Sequence, residues 1–234
     1  MGAFGLSSRS RVWGVPAGNL VREYRAADLA ELLRPESSAQ EVIVRPAMGS
    51  DALKIESVRR ANRDWLEPWE ATIAPGSNSL PPTWGEYSRR MNRSMKEGTG
   101  LLIAVVVDGD VAGCVTLGAV ERGSMSQGTL GYWIGQRWAG QGVTALAAAT
   151  VIDMVILELG LHRIEINVRP ENNPSLGVCR RIGVRQEAYK PRFMSIAGQW
   201  ADHIGFGVDR EDLQRQTMIQ ALRESRYETS TPIV

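Results

Sequence analysis

The 234-residue chain is poor in the side chains that hold metals and build disulfides. It has two cysteines, Cys114 and Cys179, and two histidines, His162 and His203. Residues so scattered match no metal-ligand spacing, and both histidines fall in strand-like stretches where a structural role is the commoner one. Two cysteines build no disulfide framework, which points to a reduced compartment. No apolar run is long enough to cross a bilayer. Neither sign of charge is in excess: 27 basic against 26 acidic side chains leave a net charge of +1. That balance gives no electrostatic footing for nucleic acid or an anionic membrane, and neither is expected as a partner. The opening stretch MGAFGLSSRSRVWG has basic residues but no continuous apolar segment before a cleavage site. A soluble, cytoplasmic protein is the expectation. No Gly-Lys-Ser/Thr tripeptide occurs, which excludes the Walker phosphate loop. No Ser-His-Asp arrangement can be argued from residue order alone.

What is present is a patterned, globular chain, 43% hydrophobic. Residues 26–34 (AADLAELLR) suit a helix, 41–46 (EVIVRP) a strand ended by Pro46, and Ser50 or Asp51 could cap a helix to about residue 60. A tryptophan- and proline-rich segment leads to a second helix from about Thr83 to Lys96. The clearest signal is LLIAVVV (101–107), the turn DGD and VAGCVTLGAV (111–120), which together predict a hairpin. LGYWIG (130–135) reads as a strand, 142–159 as a helix, 162–170 as a strand and 171–183 as a helix stopped by glycine. Two last strands, 184–189 and 200–208, are expected around a loop containing AGQ. A polar helical or frayed tail follows. This order predicts an α/β fold whose mixed sheet is mostly antiparallel with a parallel centre. The expected layout is an N-terminal extension over 1–40, one domain over 41–209 and a tail over 210–234.

Residues 135–150, GQRWAGQGVTALAAAT, place three glycines directly before a helix. A helix N-terminus presents backbone N–H groups without partners and a partial positive charge. Glycines ahead of it let the backbone turn sharply and approach a ligand. Together they can cradle phosphate, with Arg137 as an added charge. A ligand-free strand-to-helix turn would use the same residues. A dinucleotide fingerprint fits poorly, because it belongs on the first strand of a parallel sheet and this turn follows an antiparallel hairpin.

RWAGQG (137–142), after the strand GYWIG and before a helix, resembles the phosphate loop of the GNAT acetyltransferases. NVRPENNPSLGVCRRIGV (167–184) and GQWADHIGFGV (198–208) are similar to later blocks of that family, the second to its RimJ/RimL branch. RPAMGSDA (45–52) and NRDWLEPWE (62–70) look like RimJ-type members. The resemblance implies the GNAT fold, with central parallel strands that splay apart and flanking helices. It implies acetyl-CoA as cofactor. The pantetheine arm would pair near Ile134. The pyrophosphate would rest on the loop Arg137, Gly140, Gln141, Gly142, Val143 and Thr144. Asn172 would bond the pantetheine or position the acceptor. The implied acceptor is a protein N-terminal amine, on a ribosomal protein in this branch, and the implied assembly is a monomer or homodimer.

The chemistry is amine attack on a thioester, in which the departing thiol needs a proton. The family's usual tyrosine position holds Cys179, so the resemblance moves the proton-donor role to Ser175. For the base it offers no matching residue: the corresponding strand position is Thr129. Glu121 and Glu165 are the acidic candidates, the latter on the face of its strand shared with Arg163 and Asn167. Trp65, Trp69 and Glu70 would form one acceptor wall, and Tyr189, Arg192 and Phe193, in the expected last loop, the other. The alternatives are a small-molecule amine acetyltransferase and a module that binds acetyl-CoA without turnover.

Overall fold

The computed structural model describes residues 10–80 and 82–228. The outermost parts of the expected extension and tail, residues 1–9 and 229–234, lie outside it. The chain opens with a clasp, β1 (Arg11–Val12) and β2 (Val15–Pro16), then β3 (Arg22–Arg25), α1 (Ala26–Leu32) and β4 (Glu41–Pro46). Next come α2 (Asp51–Ala61), α3 (Arg63–Leu66) and α4 (Trp84–Glu97). Thr83 opens α4 with a capping box closed by Glu86. β5 (Leu101–Val107) turns into β6 (Asp110–Glu121) through Asp108 and Gly109, at φ 50° and 87°. Positive φ at both centres is the geometry that tight hairpins favour. The rest runs β7 (Gln127–Ile134), α5 (Val143–Asp153), β8 (Arg163–Val168), α6 (Asn173–Arg181), β9 (Arg185–Ile196), β10 (Gln199–Asp209), α7 (Arg210–Arg215) and α8 (Met218–Glu228).

Eight strands form one sheet in the order β3-β4-β5-β6-β7-β8-β10-β9. Its neighbours are antiparallel except β7 and β8, which run parallel. That parallel pairing covers Gln127–Arg163, Gly128–Ile164 and Thr129–Glu165 and then stops. Beyond it β7 stays on β6 as far as Ile134, and β8 stays on β10 as far as Val168. Each strand is held from its outer side, so the inner edges part and leave main-chain groups facing a gap.

Alternation along a strand assigns the two faces. Tyr132 points to α6, where its hydroxyl meets Ser175. Trp133 sits opposite Cys114 and so shares the other face, where α2 packs on β6 and α4 on β5. α5 covers the Tyr132 face. Its residues Ala145, Leu146, Ala147, Ala148 and Ala149 are all buried. A helix apolar all round belongs in a covered layer, and here α8 lies over it.

The structure corrects the sequence reading at the last hairpin. β9 and β10 are longer than expected, and the AGQ loop is a tight turn at Ala197 and Gly198, φ 49° and 79°. Tyr189, Arg192 and Phe193 therefore lie in a strand, not a loop. A bulge explains the misreading: Arg192 has φ 48°, and the register slips between Ala201 and His203. β7 begins at Gln127, earlier than expected. β3, an unexpected strand, pairs with β4 as the outer edge of the sheet.

At Gly113, β6 leaves no room for a side chain against β7. A Cβ there would lie 2.2 Å from the Trp133 carbonyl oxygen and 2.8 Å from the Ile134 Cα. Both are backbone atoms and cannot swing aside. Gly113→Ala is expected to force the strands apart at a cost of about 1–3 kcal/mol, the usual range for overpacking. A thermal melt would show Tm lower by several degrees; an unchanged Tm would refute the steric account.

Candidate functional site

The strand β7 ends in the turn Gly135–Gly142 and α5 begins at Val143. Gly140 and Gly142 hold φ 77° and 91°, the left-handed region open to glycine. No side chain caps α5, and Leu146 is the first residue to donate back along the helix, to the Gly142 carbonyl. The amides of Val143, Thr144 and Ala145 thus face forward, out of the helix end. Gln141 braces the turn: its amide donates to the Arg137 carbonyl at 2.8 Å and its Oε1 accepts from the Ser38 amide at 3.1 Å. The Gln141 carbonyl in turn accepts from the Arg34 amide at 3.0 Å. Arg137 itself leans away and stacks on Trp138, 4.9 Å from the ring centroid.

A cavity of about 630 Å³ runs from this turn along the end of β7 to the start of α6. Gly140, Gly142 and Thr144 line one end with Arg34, Arg180 and Arg181. These three arginines bring positive charge that sequence reasoning missed. Arg34 follows α1, and the other two end α6. Arg181 is fixed by a 2.8 Å bond to the Leu32 carbonyl. At the other end stand Trp65, Trp69, Tyr132, Ile134, Asn172 and Ser175. Trp65 donates its indole N–H to the Ile134 carbonyl at 3.1 Å. Asn62, unexpected from sequence, accepts from the Gln136 amide at 2.8 Å and ties the end of α2 to the turn.

A second, smaller cavity of about 170 Å³ lies across the gap. It shares Trp69, Tyr132, Asn172 and Ser175 with the first. Its far wall includes Asn167, Arg169, Met194 and His203. The segment after Trp69 roofs it: Ala71 bridges to Ile196, and the Thr72 amide donates to the Ser195 carbonyl at 2.8 Å. His203 is 3% exposed. Burial lowers its pKa from the ordinary value, so the ring is neutral near pH 7.

The shared residues form one cluster. Asn172 caps α6, accepting from the Ser175 amide at 3.1 Å. The Ser175 hydroxyl lies 3.0 Å from the Tyr132 hydroxyl. Cys179, one turn further along α6, has its sulfur 3.6 Å from the same hydroxyl. Burial pushes the Tyr132 pKa well above its usual value, against the opposing bond from Ser175. Burial likewise pushes the Cys179 thiol to about 11, so it stays protonated. Tyr132 is the main residue that sequence reasoning missed. Its signal was in GYWIG: a tyrosine one turn of the pleat before the open strand end, facing the helix that carries Cys179.

Other expected residues fall elsewhere. Glu121 is exposed beside Gln127, at the paired end of β7. Five residues of strand at about 3.3 Å each put it roughly 17 Å from Tyr132. Glu165 is opposite Thr129, where the strands are still paired, and is held by Lys190 at 3.1 Å and Arg163 at 3.3 Å. Neither carboxylate lines either cavity. Glu70 is clamped by Arg59, at 2.9 and 2.7 Å. Tyr189 and Arg192 fold onto Asp202 on the exposed outer hairpin, the phenol and the amide both donating to its carboxylate. Phe193 packs edge-on to His203, 5.6 Å between centroids. His162 is exposed beside Glu211. Among the described residues no group of His, Cys, Asp or Glu could hold a metal ion, and no helix is long and apolar enough to cross a membrane.

The acetyltransferase (GNAT) domain family matches residues 20–185, more than half of the chain. The chain belongs to the GNAT acetyltransferases. The family's acetyl donor is acetyl-CoA. The chain is 29% identical over 169 residues to the ribosomal protein uS5-alanine N-acetyltransferase of Escherichia coli, covering 71% of this chain and 87% of that protein. Among solved structures it is similar to Mycobacterium smegmatis RimJ in complex with CoA-disulfide, at 28% identity and TM-score 0.72, over 80% of this chain and 90% of that one. The ribosomal-protein-S5-alanine acetyltransferase of Vibrio fischeri matches at 26% identity and TM-score 0.65, over 73% and 94%.

The residues present fit acetyl-CoA. A Cβ on Gly142 would fill the cradle, falling 2.1 Å from an Arg181 guanidinium nitrogen and 3.3 Å from the Arg34 amide nitrogen. Forward-facing amides and three arginines suit phosphates. The free edge of β7 suits an amide-bearing arm, and Tyr132 with Ser175 stands where that edge meets the second cavity.

Proposed function

We propose that this acetyltransferase acts on the N-terminal α-amine of a protein in the cytoplasm, a ribosomal protein being the favoured class. The observation that carries this reading is the meeting of two cavities at Tyr132, Ser175, Trp69 and Asn172. The larger, with the glycine turn and three arginines, would hold the phosphates, and the smaller would take the amine. Bound acetyl-CoA supplies an acetyl group activated as a thioester. The α5 amides with Arg34, Arg180 and Arg181 would hold its phosphates, and the β7 edge near Ile134 would orient its arm.

The walls of the smaller cavity decide which amine fits. Among its described lining residues there is no carboxylate, and the titratable base is His203, neutral and half enclosed by Phe193. Such a site suits an amine that is already partly neutral. An α-amine has a pKa near 8, against about 10.4 for lysine, so a far larger fraction of it can attack at neutral pH. The names of the relatives, alanine N-acetyltransferases of a ribosomal protein, support the same acceptor class.

The test is a mass-spectrometric assay with acetyl-CoA and two peptide pools. One pool has free N-termini beginning Ala, Ser, Thr or Met and no lysine. The other has blocked N-termini and internal lysines. The expected result is acetylation confined to the first pool. Acetylation of the lysine pool, or of neither while CoA binding is intact, refutes the acceptor assignment.

A further inference from the structure

We propose that Tyr132 is the proton donor to the departing sulfur of acetyl-CoA, with the Ser175 hydroxyl restoring its proton. The proposal rests on reading the larger cavity as the acetyl-CoA side; it does not depend on which amine is the acceptor. Any thioester cleavage at this junction releases a thiol that needs a proton. Trp69, Tyr132, Asn172 and Ser175 line both cavities, and few groups near them can give up a proton. Arg34, Arg180 and Arg181 sit at the phosphate end. Asn172 has no acidic proton and is committed to capping α6. Cys179 is fully buried behind the tyrosine and lines neither cavity. That leaves two hydroxyls 3.0 Å apart, Tyr132 and Ser175. Of these a phenol is much the stronger acid. Tyr132 reaches the junction from β7, across from the helix position that Cys179 occupies, and lies on both cavity walls.

The balance is simple. The amine nitrogen bonds to the acetyl carbon, and the carbon–sulfur bond breaks with its electron pair passing to sulfur. The Tyr132 hydroxyl gives that sulfur its proton. The proton shed by the acylated nitrogen returns to the tyrosine through the Ser175 hydroxyl. Burial keeps the phenol protonated in the resting site.

The experiment follows CoA thiol release with hydroxylamine as acceptor, a small nucleophile that needs no acceptor pocket and is neutral throughout the alkaline range. Tyr132→Phe is expected to lower kcat by about 10²-fold or more, within the span of general acid catalysis, while the Kd for CoA stays within threefold of wild type. Ser175→Ala is expected to lose less. Fluorinated tyrosines at position 132 keep the shape and strengthen the acid. Their alkaline limb of kcat should move to lower pH in order of phenol acidity, a shift that a packing role would not produce. An active Tyr132→Phe, a larger loss in Ser175→Ala or an unmoved pH profile overturns the proposal. So does wild-type protein that binds CoA yet releases no thiol. Failure of the peptide assay with hydroxylamine turnover intact would instead sink the N-terminal acceptor alone.

Discussion

Gly142→Val is expected to weaken CoA binding by about 100-fold or more while leaving the protein folded. Gly142 sits at φ 91°, where a side chain is strained by roughly 1–2 kcal/mol. The added carbon would also displace Arg181, whose guanidinium nitrogen lies 2.1 Å from the Cβ position. Arg181 cannot retreat freely, because it is bonded to the Leu32 carbonyl. A valine therefore fills the cradle, moves a cation out of it and obstructs the amides of α5 at once. Gly160→Ala separates these effects. Gly160 has φ 80° but nothing within 4 Å of its Cβ position. It should show the backbone strain as a small fall in Tm with CoA affinity unchanged. Calorimetric titration of both variants decides the matter: equal affinities would mean that the glycine serves the turn and not the ligand.

The glycine turn before α5 was legible in sequence because it is local. Gly140 and Gly142 flank a single residue, Gln141, and the helix that follows starts at once. The hairpin at Asp108–Gly109 was legible for the same reason. What escaped was non-local or locally contradictory. Tyr132 gains meaning only from Ser175 and Cys179, which α6 brings back across the open strands. Arg34 gains its role because the Arg34 amide binds the Gln141 carbonyl, a contact with no periodic signature. β9 contains Pro191 and a left-handed Arg192, both features of a loop, yet it pairs along its length with β10 around a bulge. The acidic residues show the converse error. Glu121 and Glu165 are near the splayed strands in sequence, but one sits at the closed end and the other is neutralised by Arg163 and Lys190.

Asp51→Ala is expected to destabilise the fold by about 3–5 kcal/mol, because it strands a buried cation. The Arg45 and Asp51 side chains are 11% and 4% exposed and form two bonds, at 2.6 and 3.0 Å. Asp51 also accepts from the Met48 amide at 2.7 Å, fixing the turn that starts α2. Without it the Arg45 guanidinium keeps only the Pro46 carbonyl. In urea the midpoint should fall sharply with little change in slope. Replacing both partners, Arg45→Met with Asp51→Leu, should recover most of the loss, since a buried pair exchanged for apolar groups is often neutral. Burial alone would raise the Asp51 pKa, but the bonds from Arg45 and the Met48 amide outweigh it and hold the pKa below its usual 3.8. The sign follows: the pair's contribution is complete above about pH 4 and is lost as pH falls through the lower folded value. Asp51→Asn should remove that acid dependence, a difference visible in melts across the acid range. The far end of α2 carries Asn62, which holds the Gln136 amide at the exit of β7. Weakening the helix start should therefore also loosen the strand end on which the cofactor arm would lie, and CoA should restore part of the lost Tm by binding the folded state alone.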